Sequence, residues 1–184
     1  HGYLIHQFIS PNINTRRDEF GILPESGIGT YFFEILIDSV RNNCGDKFPL
    51  LVKISWGEDL GKRFADHHFI NLVRFLERKK VDAVEISYGT MDYPLNIFRG
   101  DIPLEMILKY NPIYKTDSSI KKFLFKSFAL PSIRTKIKPF TPMYNLEYAS
   151  LAKKHTDLKI ISVGGFRTYE EINYAVQNNH ADFV

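Results

Sequence analysis

Three short apolar runs constrain the fold of this chain more than any other feature. They are FPLLVKIS at 48–55, DAVEIS at 82–87 and LKIISVGG at 158–165. Each run is nearly continuous in apolar residues, a pattern typical of parallel strands that are buried on both faces. The last four residues, ADFV at 181–184, resemble the beginning of a fourth strand. We therefore expect a parallel sheet.

Segments with helical periodicity separate these runs. They span 30–43, 67–80, 145–155 and 169–179. Thr168 and Glu171 have the spacing of a capping box at the start of the last helix. We expect loops at the opening of the chain and between 88 and 144. The alternation of strands and helices predicts an α/β fold, either a doubly wound sheet or part of a (β/α)8 barrel. No Gly-x-Gly-x-x-Gly motif follows a strand, which counts against dinucleotide binding by a doubly wound sheet.

Composition narrows the classes of partner. The chain has 184 residues, is 44% apolar and 24% charged, and carries a net charge of +3. Because charges of both signs are mixed, nucleic acid is not an expected partner. A single cysteine, Cys44, excludes a disulfide framework and a cysteine metal cluster, and it favours a cytoplasmic location. No apolar stretch approaches the length of a membrane helix, so no membrane partner is expected.

Lys53 lies within the first apolar run, where an unpaired charge would be costly. It could present a fixed positive charge to a ligand. Alternatively, it could pair with Glu85, which holds the matching place in the second run. The spacing leaves both interpretations open.

The third run ends in Gly164 and Gly165, followed by Arg167. Paired glycines allow backbone N–H groups to approach a ligand closely, and an arginine suits a phosphate. An ordinary strand-to-helix turn is the alternative.

His1 and Tyr3 open the chain two residues apart. A histidine can donate a hydrogen bond to a carbonyl, and a tyrosine can deliver a proton. A surface loop is the alternative. The other histidines, including His6, are interpreted as structural or exposed, and no metal site is predicted.

Lysines and phenylalanines are concentrated between Tyr114 and Phe140. We interpret this segment as a loop that forms a lid with solvated lysines. An anionic partner or a membrane surface is the alternative.

The opening stretch, HGYLIHQFISPNINTRRDEFG, resembles the Old Yellow Enzyme family of FMN-dependent NADH:flavin oxidoreductases. Members carry a stretch like A-H-G-Y-L-x-x-Q-F-L-S-P-x-x-N-x-R-x-D-E-Y-G-G. The matching residues are His1, Gly2, Tyr3, Leu4, Gln7, Phe8, Ser10, Pro11, Asn14, Arg16, Asp18, Glu19 and Gly21. The apolar runs follow in the family's order. The resemblance implies that residues 1–184 are the C-terminal half of an FMN-binding (β/α)8 TIM barrel, from the end of strand 4 to the start of strand 8.

The resemblance also implies roles for single residues. His1 would donate to the substrate carbonyl, and Tyr3 would protonate the substrate carbon. Lys53 would face the flavin, and Gly164, Gly165 and Arg167 would form part of the phosphate site. The implied reaction takes a hydride from NADH or NADPH through FMN to an activated C=C bond, such as that of an enone. A small-molecule substrate is therefore the expected partner, and a homo-oligomer is compatible.

One segment departs from the family pattern. GILPESGIG at 21–29 lacks the second glycine and the Glu-Asn-Arg that family members carry. This departure supports one alternative to a simple ene-reductase, a truncated, non-catalytic barrel. A larger iron–sulfur flavoprotein of the same family is a second alternative. A half-barrel with two open strand edges is expected to be inactive on its own and to associate or aggregate.

Overall fold

The computed structural model describes residues 2–59, 61, 63–91, 93–97, 99–101 and 103–184. His1, one of the two residues predicted to be catalytic, therefore lies outside the described residues. The chain divides into two compact units, one made of residues 1–97 and 142–184 and the other of residues 98–141.

The first unit alternates helices with strands. In chain order its elements are α1 (Tyr3–Ile9), α2 (Tyr31–Cys44), β1 (Leu51–Ser55), α3 (Asp66–Arg78), β2 (Ala83–Ser87), a 3₁₀ turn (Pro94–Asn96), α7 (Leu146–Lys153), β3 (Lys159–Ser162) and α8 (Tyr169–Gln177). The α/β class predicted from the sequence is confirmed. The opening was predicted to be a loop, and this was wrong, because residues from Tyr3 onward form α1.

The strands of the first unit form a parallel sheet in the order β1–β2–β3. Leu51 pairs with Ala83, and Ala83 pairs with Lys159, so the strands begin in register. Phe183 adds an isolated parallel bridge to Ile161. The strand expected at 181–184 is therefore present among the described residues as this single bridge. All of these pairings run in the same direction, as the apolar runs predicted.

Helices cover one face of the sheet. Val84 and Ile86 of β2 are fully buried, together with Phe69, Leu72 and Leu76 of α3. The three α3 residues recur at spacings of three and four, which places them on one stripe of the helix. Thr168 and Glu171 form the predicted capping box at the start of α8. The buried stripe fixes α3 against the sheet, and the capping box fixes the start of α8.

The opposite face of the sheet is more open than predicted. Leu51 is 60% exposed, and Lys53 beside it in β1 is also exposed. Burial on both faces was therefore correct for β2 and wrong for β1 and the start of β3. The described helices pack on the side of Val52 and Ile54, and the side chains that alternate with these face away from them.

The second unit is largely helical. Its elements are α4 (Leu104–Tyr110), α5 (Ser119–Leu124), a π-helical turn (Phe125–Ala129) and α6 (Leu130–Arg134). The prediction of loops over 88–144 was therefore wrong for 104–110, and within 114–140 it was wrong for 119–134. Ser118 caps α5, since its hydroxyl accepts a hydrogen bond from the backbone N–H of Lys121 at 3.4 Å. Because lysine is itself a good helix former, a lysine-rich segment continues readily from such a cap.

Across the described residues, no helix is both long enough and apolar enough to span a membrane.

Candidate functional site

The polar groups of the candidate site lie at the carboxyl ends of the strands. Backbone hydrogen bonds continue past the ends of β1 and β2: Trp56 donates to Ser87 at 2.9 Å, and Gly89 donates to Gly57 at 2.9 Å. The Ser55 hydroxyl, at the end of β1, donates to the carbonyl of Gly89 at 2.7 Å. These contacts hold the loops after β1 and β2 side by side.

Glu58, three residues after β1, is the centre of a buried polar cluster. Its side chain and that of His6 are each 1% exposed, and His6 Nε2 lies 3.3 Å from Glu58 Oε2. Glu58 Oε1 accepts hydrogen bonds from the Ser10 hydroxyl at 2.6 Å and from the side-chain amide of Asn12. Glu58 therefore binds three side chains of the opening segment to the carboxyl end of β1.

These contacts determine the charge on Glu58. Burial raises the pKa of this carboxyl group, but the hydrogen bonds from His6, Ser10 and Asn12 outweigh burial and leave the pKa below its usual value. Glu58 is thus an anion at neutral pH, although its side chain is only 1% exposed.

Tyr3 lies at the start of α1, in an unusual backbone conformation. Gly2 has a φ of 61° and Tyr3 a φ of 43°. Two successive left-handed residues make a tight turn, which costs a non-glycine residue about 1–3 kcal/mol. The Tyr3 side chain is 57% exposed. Tyr3 is therefore presented outward from a turn that other contacts must hold in place.

Asn145 joins the ends of β1 and β3. Its side-chain oxygen accepts a hydrogen bond from the indole N–H of Trp56 at 2.8 Å, and its amide donates to the carbonyl of Val163 at 2.6 Å. The Trp56 ring stacks on Tyr148, with 3.4 Å between ring centroids. The turn after β3 is thus anchored to the loop after β1.

Gly164 and Gly165 form the turn after β3, with φ values of 121° and 81°. A Cβ atom on Gly164 would lie 2.7 Å from the Tyr144 ring and 2.8 Å from the amide nitrogen of Asn145. Packing alone therefore requires a glycine at position 164. This requirement is compatible with the turn interpretation and with the phosphate interpretation.

Arg167 stands immediately before α8. Its backbone N–H donates to the Glu171 carboxylate at 2.6 Å, and that of Thr168 donates to the same oxygen at 3.3 Å. These two donors are thus used by the capping box. A phosphate site here would depend on the Gly164–Gly165 backbone and on the Arg167 side chain.

Lys53 points from the open face of the sheet. Its Nζ lies 2.5 Å from Glu85 Oε1, with side-chain exposures of 37% and 29% for Lys53 and Glu85. The salt bridge, one of the two interpretations of the sequence, is therefore present. Since the pair is partly exposed, it also leaves the lysine within reach of a ligand on this face.

Sequence reasoning missed Glu58 and Asn145. Glu58 lies in a polar loop, WGED, whose partners at positions 6–12 are about fifty residues away in sequence. Asn145 immediately precedes a helix, where an asparagine is usually interpreted as a cap, yet its side chain makes no capping hydrogen bond. Both residues act through long-range contacts that periodicity does not report.

The fold and this site define an α/β protein with polar groups collected at the carboxyl ends of parallel strands. No family model matches the chain. Curated bacterial proteins named NADPH dehydrogenase are similar to it. The Bacillus subtilis (strain 168) protein is 36% identical over 103 residues, the Geobacillus thermodenitrificans protein 34% over 91, and the Bacillus licheniformis protein 30% over 101.

The matches cover 54%, 50% and 54% of this chain and 29%, 26% and 29% of the respective relatives. The chain thus spans less than a third of the length of the curated relatives that it matches. Over about half of this chain, the resemblance to the Old Yellow Enzyme family is confirmed. The roles of Tyr3, His1, Lys53, Gly164, Gly165 and Arg167 stay predictions.

Proposed function

We propose that this chain is an arc of a (β/α)8 barrel in a flavin-dependent oxidoreductase that uses NADPH. The observation that carries the proposal is the order of the parallel strands. β1, β2 and β3 lie side by side in sequence order, and Phe183 bridges to β3 in the same direction. Successive neighbours of this kind are the repeating unit of a barrel, whose active site lies at the carboxyl ends of the strands.

The residues at these ends fit FMN. In the left-handed Gly164–Gly165 turn, Tyr144 and Asn145 fill the side of Gly164 where a Cβ would lie, and the backbone N–H groups of the turn would bind the phosphate. Arg167 would add a positive charge beside it, and Lys53 would supply one on the open face of the sheet. Lys53, Gly164, Gly165 and Arg167 would therefore hold the cofactor. When bound, FMN would supply the hydride chemistry that links NADPH to an activated C=C bond.

The chain's own residues have distinct tasks in this proposal. The Lys53 ammonium group, held by Glu85, would stabilise negative charge on the bound ligand. The Tyr3 phenol, presented outward from α1, would donate a proton to the substrate carbon next to the carbonyl. His1 would donate a hydrogen bond to that carbonyl oxygen. An enone, which has both a polarisable carbonyl and an electron-poor double bond, is the substrate class that these tasks suit.

The first test is a visible absorption spectrum of the natural full-length polypeptide, purified without added flavin. We expect the absorption bands of oxidised flavin, with an intensity that corresponds to about one flavin per polypeptide. We expect NADPH to bleach these bands. A folded but colourless protein that ignores added FMN would overturn the proposal, and the non-catalytic barrel would then be favoured.

Lys53→Met tests the residue that would face the flavin. Loss of its charge should weaken FMN binding about tenfold, equivalent to about 1.4 kcal/mol, when measured by fluorescence titration of the apoprotein. Lys159→Met is the matched control. Lys159 lies on the same face of the sheet, at the amino end of β3, and it pairs with Asp182. Equal losses in the two variants would show that Lys53 has no special relation to the flavin.

A further inference from the structure

The buried pair of Glu58 and His6 has no role in the chemistry described above. A buried carboxylate is costly unless it is hydrogen-bonded, and the groups that bind Glu58 all belong to the segment around α1. We infer that Glu58 and His6 are positioning residues that fix the turn from which Tyr3 is presented. The reaction assigned to Tyr3 rests on the proposed function, whereas the positioning of the turn does not.

Direct contacts connect Glu58 to that turn. Glu58 accepts the hydrogen bond from His6, and the backbone N–H of His6 donates to the carbonyl of Gly2 at 3.1 Å. A Cβ atom on Gly2 would lie 2.5 Å from the Cβ of His6. His6 therefore packs directly on the backbone of Gly2, and Tyr3 is the next residue. A shift of the imidazole ring would move the turn with it.

Apolar packing holds the first turn of α1 at Ile5, which lies against the hydrophobic core, but does little at Tyr3 and Leu4. Tyr3 and Leu4 are each 57% exposed, whereas Ile9, at the other end of the helix, is 1% exposed. The helix has only seven residues, which is too short for stability from its own hydrogen bonds. The contact of His6 with Glu58 at the end of β1 therefore restrains the first turn of α1 in addition to the packing of Ile5.

The positioning role has a specific kinetic consequence. Tyr3 would act when substrate is reduced and not when NADPH reduces the flavin. A displaced Tyr3 should therefore slow substrate reduction and leave flavin reduction unchanged. A misplacement of about 1 Å can cost about a hundredfold in rate.

The experiment compares His6→Ala with His6→Gln in the full-length, flavin-loaded protein. Glutamine keeps an N–H group that can reach Glu58, whereas alanine does not. We expect His6→Ala to lower the rate of cyclohexenone reduction about ten- to a hundredfold, with flavin reduction by NADPH within about twofold of the natural protein. His6→Gln should recover most of the lost rate. Asp182→Asn, at the opposite end of the sheet, is the control for general destabilisation and should change neither rate.

A second measurement does not depend on flavin. Amide hydrogen exchange at residues 3–7 should be faster in His6→Ala than in the natural protein, and His6→Gln should restore the protection. Slow exchange in His6→Ala would overturn the inference, as would an equal loss in both half-reactions. If the natural protein binds no flavin yet shows the expected exchange, the proposed function fails and the positioning of the turn stands.

Discussion

The two ends of the parallel sheet use their carboxylates differently. At the amino end, two carboxylates beside the strands each join one strand to the loop or strand beside it. Asp82, just before β2, accepts the backbone N–H of Leu50 at 2.7 Å, and Asp182 accepts that of Ile160 at 2.9 Å. At the carboxyl end, Glu58 accepts hydrogen bonds from three side chains of a distant segment.

The difference lies in what each carboxylate restrains. The amino-end carboxylates bind backbone that the sheet already orders, and lysine or arginine partners share them. Glu58 instead fixes a short helix that the sheet does not contain and that carries an exposed tyrosine. In the proposed barrel, the carboxyl ends of the strands would form the functional end.

Glu58→Ala should have the largest effect. It would leave the polar groups of His6, Ser10 and Asn12 buried without their acceptor, and removing one member of a buried polar pair costs about 3–5 kcal/mol. We expect the free energy of unfolding of the full-length protein to fall by about 4 kcal/mol, as measured by urea denaturation.

Glu77→Ala is the matched control at the other end of the sheet. Glu77 also accepts two hydrogen bonds from a distant segment, from the Thr156 hydroxyl and the Asp157 backbone N–H, both at 2.7 Å. It lies nearer the solvent, so its loss should cost about 1 kcal/mol. Similar losses for the two variants would remove the distinction between the ends of the sheet.

Gly164→Ala should have the second largest effect. Its new Cβ would meet the Tyr144 ring and the Asn145 amide while the backbone keeps a φ of 121°. Overpacking and backbone strain together should lower the free energy of unfolding by about 3 kcal/mol. Thermal and urea unfolding of the full-length protein would measure the change.

Gly45→Ala separates strain from packing. Gly45 follows the last residue of α2, on the side of the amino ends of the strands, and has a φ of 83°. Nothing lies within 4 Å of the position that a Cβ would take. Its replacement should therefore cost only the strain, about 1 kcal/mol. If the two glycine variants lose equal stability, the Asn145 and Tyr144 contacts do not constrain the turn after β3.

The sequence predicted the sheet better than the site. Apolar runs and helical stripes identified the three strands and α2, α3, α7 and α8, because buried elements carry a periodic pattern of apolar residues. The Lys53–Glu85 pair was also within reach, since matching places in neighbouring parallel strands fall side by side. Such contacts follow from register alone.

The remaining contacts depend on which distant segments meet. The first turn of α1 depends on Glu58, fifty-two positions from His6, and no local pattern in HGYLIH indicates that partner. In the second unit, α4 was missed as well, and α5 and α6 were missed because phenylalanines and lysines there do not form a clean stripe. Long-range polar contacts and capped helices without a clear apolar face were therefore the features that sequence reasoning could not supply.

Asp182→Asn should have a smaller effect than Glu58→Ala and Gly164→Ala, and a distinct dependence on pH. Burial raises the pKa of Asp182, but hydrogen bonds from the Ile160 backbone, Lys153 and Lys159 outweigh it and lower the pKa below its usual value. A carboxyl group with a depressed pKa in the folded state stabilises the fold above its unfolded pKa, about 3.9, and that stability is lost as the pH falls through the folded value. Asparagine should therefore cost about 2 kcal/mol at pH 7, and the difference from the natural protein should shrink below about pH 4.

Asp38→Asn, which removes an exposed partner of Lys79, should cost less than about 0.5 kcal/mol. Urea denaturation of the three proteins at pH 7 and at pH 3 would decide the matter: a loss in Asp182→Asn that persists undiminished at pH 3 would mean that side-chain shape, and not charge, joins β3 to the segment at Phe183.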